Sequence, residues 1–182
     1  MTVARLVRRR FKAMNWNNPN GRGDNRMNNR FKGYVAEITK LESVLRNLSK
    51  AQLSFRIAEN KWNITEILAH LVDAEIQVYT RFRSILADDV PFLVNHNQEK
   101  WTTIFKHGEM DAVECLSTFK FVRGLNYRLI ESLDEAQLEM EGLHSTRGRM
   151  TVANLIKGHI VHLRNHLDQI DKNLVEFQRI KV

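Results

Sequence analysis

Gly158-His159-Ile160-Val161-His162-Leu163-Arg164-Asn165-His166-Leu167-Asp168-Gln169-Ile170 is the stretch from which the rest of the chain can be read. Around it, Val152, Leu155, Ile156, Leu163, Leu167, Ile170, Leu174 and Phe177 recur with the period of an α-helix, so one face of a long amphipathic helix turns to a core. His159 and His166 fall inside that stripe and His162 on its margin, so imidazoles are aimed inward. His162 and His166 are four residues apart, one helical turn, and side chains so spaced can converge on one metal ion. On spacing alone the pair is compatible with ligands or with packed core histidines, and a third ligand must come from another part of the chain.

Three more segments share the helical period. Phe31, Tyr34, Val35, Ile38, Leu41, Val44, Leu45 and Leu48 give a first helix over about 28–47. Ile64, Ile67, Leu68, Leu71, Val78, Phe82, Ile85 and Leu86 give a second, running to about Ala87. Asn63 can cap it, Glu66 can reach back to the cap, and Trp62 can pack on Ile67 as a staple. A third helix starts after Asp111, with Glu114 as cap partner, and runs to about Leu133; Thr151 caps the fourth. Residues 49–61, 88–110 and 142–150 read as connections, the second long enough to cover a site and to hold a short helix near Gln98–Phe105. His96 and His107 lie there with no helical register and are expected to be exposed. The architecture expected is an all-α four-helix bundle, without a sheet, with a long connection between helices 2 and 3.

The composition agrees. The 182 residues suit one domain, and two prolines and eight glycines are too few for the turns of an all-β chain. No apolar run is long enough to span a bilayer and the N-terminus lacks a secretory signal, so a cytoplasmic protein is expected. The single cysteine, Cys115, excludes an internal disulfide and sits at an apolar helical position, which makes it packing and not a nucleophile. The net charge of +7 is local. Residues 1–30 hold eight of the basic residues and one acid, Asp24, so the remainder of the chain is neutral. Residues 1–27 read as a basic tail without periodicity, with Met27 as a second candidate start, and 28–182 as the domain. A neutral domain lacks the basic face of a dedicated nucleic-acid-binding fold, which leaves only weak contact through the tail.

On the second helix, His70 lies at the edge of the apolar stripe, near Ala74 and Gln77, and is the candidate third ligand. Glu75 projects into the stripe, where a carboxylate requires a buried partner such as an arginine or a tryptophan N–H. Glu66 and Asp73, one turn either side of His70, are the acids nearest to it. Neither is assigned as a base, and the catalytic residue stays unknown.

Three motifs carry a resemblance. Residues 62–75, Trp-Asn-Ile-Thr-Glu-Ile-Leu-Ala-His-Leu-Val-Asp-Ala-Glu, are similar to the second-helix opening Trp-Ser-x-x-Glu-Ile-x-x-His-Leu-x-Asp-x-Glu of the DinB-like, or YfiT-like, family. Arg149–Ile156 resembles that family's Thr-Val-x-x-Leu start of the fourth helix, and His162-x-x-x-His166 followed by Gln169-Ile170 resembles its metal-binding pair. The resemblance spans about 28–175. It implies a four-helix bundle, a divalent metal ion such as Zn, Ni or Fe held by His70, His162 and His166, a small-molecule substrate and a homodimer. It also implies metal-dependent hydrolysis or transfer of a low-molecular-weight thiol, with a non-catalytic structural or stress-sensing metal site as the alternative. His159 is an extra histidine, expected to pack or to orient its neighbours.

Overall fold

Four amphipathic helices pack their apolar faces on one core, and short elements in their connections close one end. The computed structural model describes residues 31–180; the basic tail and Met27 lie outside the described residues. The elements, in order, are α1 (Gly33–Leu45), α2 (Lys50–Ser54), α3 (Ile64–Ala87), β1 (Phe92–Leu93), α4 (Gln98–Ile104), a 3-10 turn (His107–Glu109), α5 (Ala112–Glu131), α6 (Glu135–Glu139), β2 (Glu141–His144), β3 (Gly148–Thr151) and α7 (Val152–Ile180). The long helices α1, α3, α5 and α7 are the four expected from the periodicity.

Their starts are fixed by side chains that satisfy the orphan N–H groups of the first turn. Asn63 Oδ1 accepts from Glu66 N and Glu66 Oε2 accepts from Asn63 N, each at 2.9 Å. Asp111 Oδ1 accepts from Val113 N and Glu114 N. Thr151 and Asn154 make the same reciprocal pair, at 3.1 Å in both directions, at the start of α7. Tyr34, Ile38 and Leu41 of α1, Ile67, Leu71 and Phe82 of α3, Phe119 and Ile130 of α5, and Leu163, Leu167 and Ile170 of α7 are buried together. Cys115 is buried among them, and burial, then Asp111, Glu114 and Asp73, push its thiol up to about 11, so it is a packing residue.

The expected absence of a sheet does not hold. Phe92–Leu93 pairs in parallel with Leu143–His144, and Glu141–His144 pairs antiparallel with Gly148–Thr151, in the order β1-β2-β3. The inward positions of β2 are Gly142 and His144, so the strand has no apolar alternation for a sequence reading to detect. A Cβ on Gly142 would lie 3.0 Å from the Ile85 side chain and 3.1 Å from that of Leu93, so glycine lets this strand lie against the end of α3 without displacing either. The hairpin turns at Gly148, whose φ of 73° is in the left-handed region. The sheet thus ties the connection after α3 to the connection before α7.

The expectation for the loop histidines also changes. His107 is buried, with Nε2 3.1 Å from Asp73 Oδ2, and pins the 3-10 turn to α3. Both ring nitrogens of His96 are buried, and its ring lies 4.7 Å from that of Trp101. Neither position has a helical register, so their burial comes from the way the connection folds back over α3, which no local pattern records.

Candidate metal centre

His70 occupies the second turn of α3, and His162 and His166 face it from consecutive turns of α7. Their side chains meet beside the first turns of α3 and part-way along α7. His70 Nε2 lies 2.9 Å from His162 Nε2, which lies 3.0 Å from His166 Nε2, and one ligand atom from each of the three falls within 4.8 Å of the others. Burial, then the neighbouring imidazoles, hold His70 down to about 3 and His162 to about 2, and burial lowers His166 as well. All three rings are neutral at pH 7 and offer lone pairs.

The hydrogen-bond count shows what such a cluster lacks. His166 Nδ1 donates to Gln169 Oε1 at 2.8 Å, which leaves the lone pair of His166 on Nε2, directed at the other two rings. His162 Nε2 can carry a proton or a lone pair. With a lone pair it opposes His166 Nε2; with a proton it must serve two acceptors with one hydrogen. A cation satisfies all three nitrogens at once, and imidazole ligands of a tetrahedral zinc ion stand about 3.3 Å apart, close to the spacing here. The donor set fits a divalent ion of the zinc, nickel or iron kind.

Trp62 covers one side of this group. Its ring is 4.9 Å from His70 and stacks on His166 at 6.3 Å, and its Nε1 donates to Glu99 Oε2 of α4. The staple expected of Trp62 thus understates its position: it walls the cluster and links it to the helix in the long connection. His162 is the one partly exposed member and opens on two clefts of about 620 and 570 Å³, the size of small-molecule sites.

The other candidates lie elsewhere. His159 is not one of the three converging rings: its ring lies 5.8 Å from that of His162, and its Nδ1 is 3.8 Å from Glu75 Oε2. Glu66 is committed to the Asn63 cap and to Arg56. Asp73 faces His107, and neither Glu66 nor Asp73 lines the clefts beside His162. Glu75 has the buried arginine partner its position required, Arg123, whose Nη1 donates to Oε2 at 2.7 Å. Tyr34 Oη and Asn126 Nδ2 donate to Oε1. Arg123 also donates to the carbonyls of Tyr34 and His159, so one buried cluster joins all four long helices. Burial pushes Glu75 up, but Arg123, His159 and Asn126 outweigh it and hold the carboxyl at about 2. Sequence reasoning did not assign the role of Gln169, although the residue stood in the quoted motif; its position three residues after His166 was the available signal.

A family model described as the DinB superfamily matches residues 34–170. The chain belongs to the DinB superfamily. Among relatives within reach of this superfamily member, a protein of Oceanobacillus iheyensis named "putative metal-dependent hydrolase" is 27% identical over 135 residues, covering 72% of this chain and 75% of the relative. YfiT of Bacillus subtilis, which bears the same description, is 20% identical over 132 residues, covering 72% and 74%. The solved structure of Bacillus subtilis YfiT, described as "a probable metal-dependent hydrolase with an unusual four-helix bundle topology", has a TM-score of 0.78 with 17% identity, covering 88% of this chain and 93% of that one. At that identity the likeness speaks for the fold, which is the four-helix bundle of this DinB member.

Proposed function

We propose that His70, His162 and His166 together hold one divalent metal ion and that this DinB-superfamily member is a metal-dependent hydrolase acting on a small molecule. The observation that supports it best is the convergence of three Nε2 atoms from two helices beside clefts that open at His162. Three protein ligands leave a divalent ion with an open position, whereas structural zinc sites are closed by four, so the arrangement favours turnover over a structural role. An ion bound there supplies Lewis acidity, lowering the pKa of coordinated water towards ~7 and polarising a substrate carbonyl or its equivalent.

The residues of the chain prepare the site. Gln169 fixes the tautomer and orientation of His166, and burial keeps His70 and His162 unprotonated. Trp62 walls the cleft of about 570 Å³ beside His162 and His166 and packs against the rings of His70 and His166. The names of the relatives support hydrolysis. The test is a panel of ester, amide and lactone substrates, with addition of a low-molecular-weight thiol to an electrophile run in parallel, on protein loaded with Zn, Ni or Fe and on protein stripped by chelator. Metal-dependent cleavage that disappears in His162→Ala supports the proposal. Thiol addition without hydrolysis would move the chain to transferase chemistry, and no metal-dependent turnover in either assay would leave a metal-binding bundle.

A further inference from the structure

The cleft of about 620 Å³ beside His70 and His162 has a one-sided charge. Its wall includes Arg81 and Arg147, several amide side chains, and no aspartate or glutamate. His70, Ala74, Gln77 and Arg81 follow one another at helical spacing along a single face of α3, with about 16 Å of helix rise between the α-carbons of the first and last. Arg81 leans back along this face: its Nη2 donates to Gln77 Oε1 at 3.1 Å and to the Val94 carbonyl at 2.6 Å. Its Nε is buried without a partner. Among the described residues no carboxylate pairs with Arg81 or Arg147.

The contrast with Arg123 is direct. Arg123 is fully buried where Arg81 is only partly so, and it meets Glu75 at 2.7 Å. Arg81 meets only neutral acceptors, and Arg147 approaches it from the β2–β3 turn, where Thr146 N donates to His144 Nδ1 and Gly148 reverses the chain. Burial and then the like charge of Arg147 lower the pKa of Arg81, and burial, then the two arginines, lower that of His144. A guanidinium that is partly desolvated and faces another cation is a cost to the fold unless an anion from outside completes it.

We propose that this cleft takes substrates bearing an anionic group, a carboxylate or a phosphate, held by Arg81 and Arg147 at the end away from the three histidines. This rests on the reading of the histidines as the reaction centre and names the substrate class for it. Arg81 is the fixed part of the anchor and Arg147, exposed on the turn, the part that closes on the anion. Guanidinium is suited to either oxyanion through paired N–H donors.

The test is isothermal titration of the full chain, dialysed against zinc, with hexanoate, hexyl phosphate and the neutral hexanamide. At least one anion is expected to bind about 10-fold tighter than hexanamide, the scale of a charge-assisted hydrogen bond. The tighter of the two identifies the oxyanion. Arg81→Gln should remove that preference, and Arg147→Gln, on an exposed turn where folding is not at risk, should weaken the anion by about 3-fold. Equal affinity for anion and amide, no binding of either anion at millimolar concentration, or an anion preference that survives both substitutions would overturn the proposal. Zinc content measured on the same samples separates the two readings: an Arg81-dependent anion preference in protein that retains no zinc supports the anion cleft while contradicting the metal centre.

Discussion

The bundle buries two polar clusters, and they are opposites. At its centre Glu75 is surrounded by donors from three other residues and Arg123 by three acceptors, so the charges and most hydrogen-bonding groups find partners inside the chain. Beside the first turns of α3 three neutral imidazoles bring their Nε2 atoms together, and with His166 Nδ1 donating to Gln169 no choice of tautomers gives each contact its own hydrogen. The first cluster pairs its charges as folded, leaving only Asn126 Oδ1 and His159 Nδ1 without a hydrogen bond, and connects α1, α3, α5 and α7. The second, as proposed, is completed by a cation. Burial of polar groups is therefore no guide to function by itself; whether the buried groups satisfy one another separates a structural cluster from a site.

Breaking the closed cluster should cost the most. Glu75→Ala leaves Arg123 charged and unpaired in the core, and a loss of about 3–5 kcal/mol in unfolding free energy is expected by denaturant titration. His162→Ala in the metal-free protein should change stability by no more than about 1 kcal/mol, because it removes an unsatisfied contact at a partly exposed position. Comparable losses in the two variants would erase the distinction between the clusters.

Acid should separate them by pH window. The folded pKa values of His70 and His162 lie below the unfolded value of 6.5, so the unfolded chain binds more protons as pH falls below 6.5, and stability falls with it towards about 3. Glu75 is also depressed, from 4.5 to about 2, so its stabilisation is fully present above 4.5 and is lost between 4.5 and 2. Metal-free protein should lose about 2 kcal/mol for each of these two histidines, about 4 kcal/mol together, between pH 7 and 5, before Glu75 begins to contribute. A flat stability profile down to pH 5, measured by urea denaturation, would contradict the neutral, buried state of the histidines.

Much of this could be read from the sequence, and the boundary has physical causes. The helices were legible because their apolar residues repeat over several turns and Asn63, Asp111 and Thr151 mark their starts. The need for a partner at Glu75 followed from its place in the stripe; that the partner is Arg123, 48 positions away, did not. His70, His162 and His166 could be aimed because each sits in helical register. His96, His107 and Arg147 could not, since the connections that carry them are shaped by a sheet whose inward positions are glycine and histidine. Arg81 is in register, but its lack of an acidic partner is a three-dimensional fact.

Smaller effects sharpen the comparison at the edges of the open cluster. Gln169→Ala frees His166 to change tautomer and should weaken metal affinity by about 10- to 100-fold with the fold intact, as read by competition with a chromogenic chelator. Affinity equal to that of the native chain would remove Gln169 from the site. His159→Asn should have the smallest effect, about 1 kcal/mol of stability with metal affinity unchanged, because the Nδ1 of His159 lies beside Glu75 and the residue is outside the converging set.

The central claim is tested most directly by the metal content of equally purified native protein, His70→Ala, His162→Ala, His166→Ala and His159→Asn, measured by mass spectrometry after dialysis against one divalent metal. The account predicts one ion per chain in the native protein and in His159→Asn, and a drop in affinity of more than ~100-fold in each of the other three, beyond what a residue that only orients a ligand would cause. Metal that is lost with His159→Asn and kept by His162→Ala, or kept by any of the three alanine variants at the native level, would contradict it.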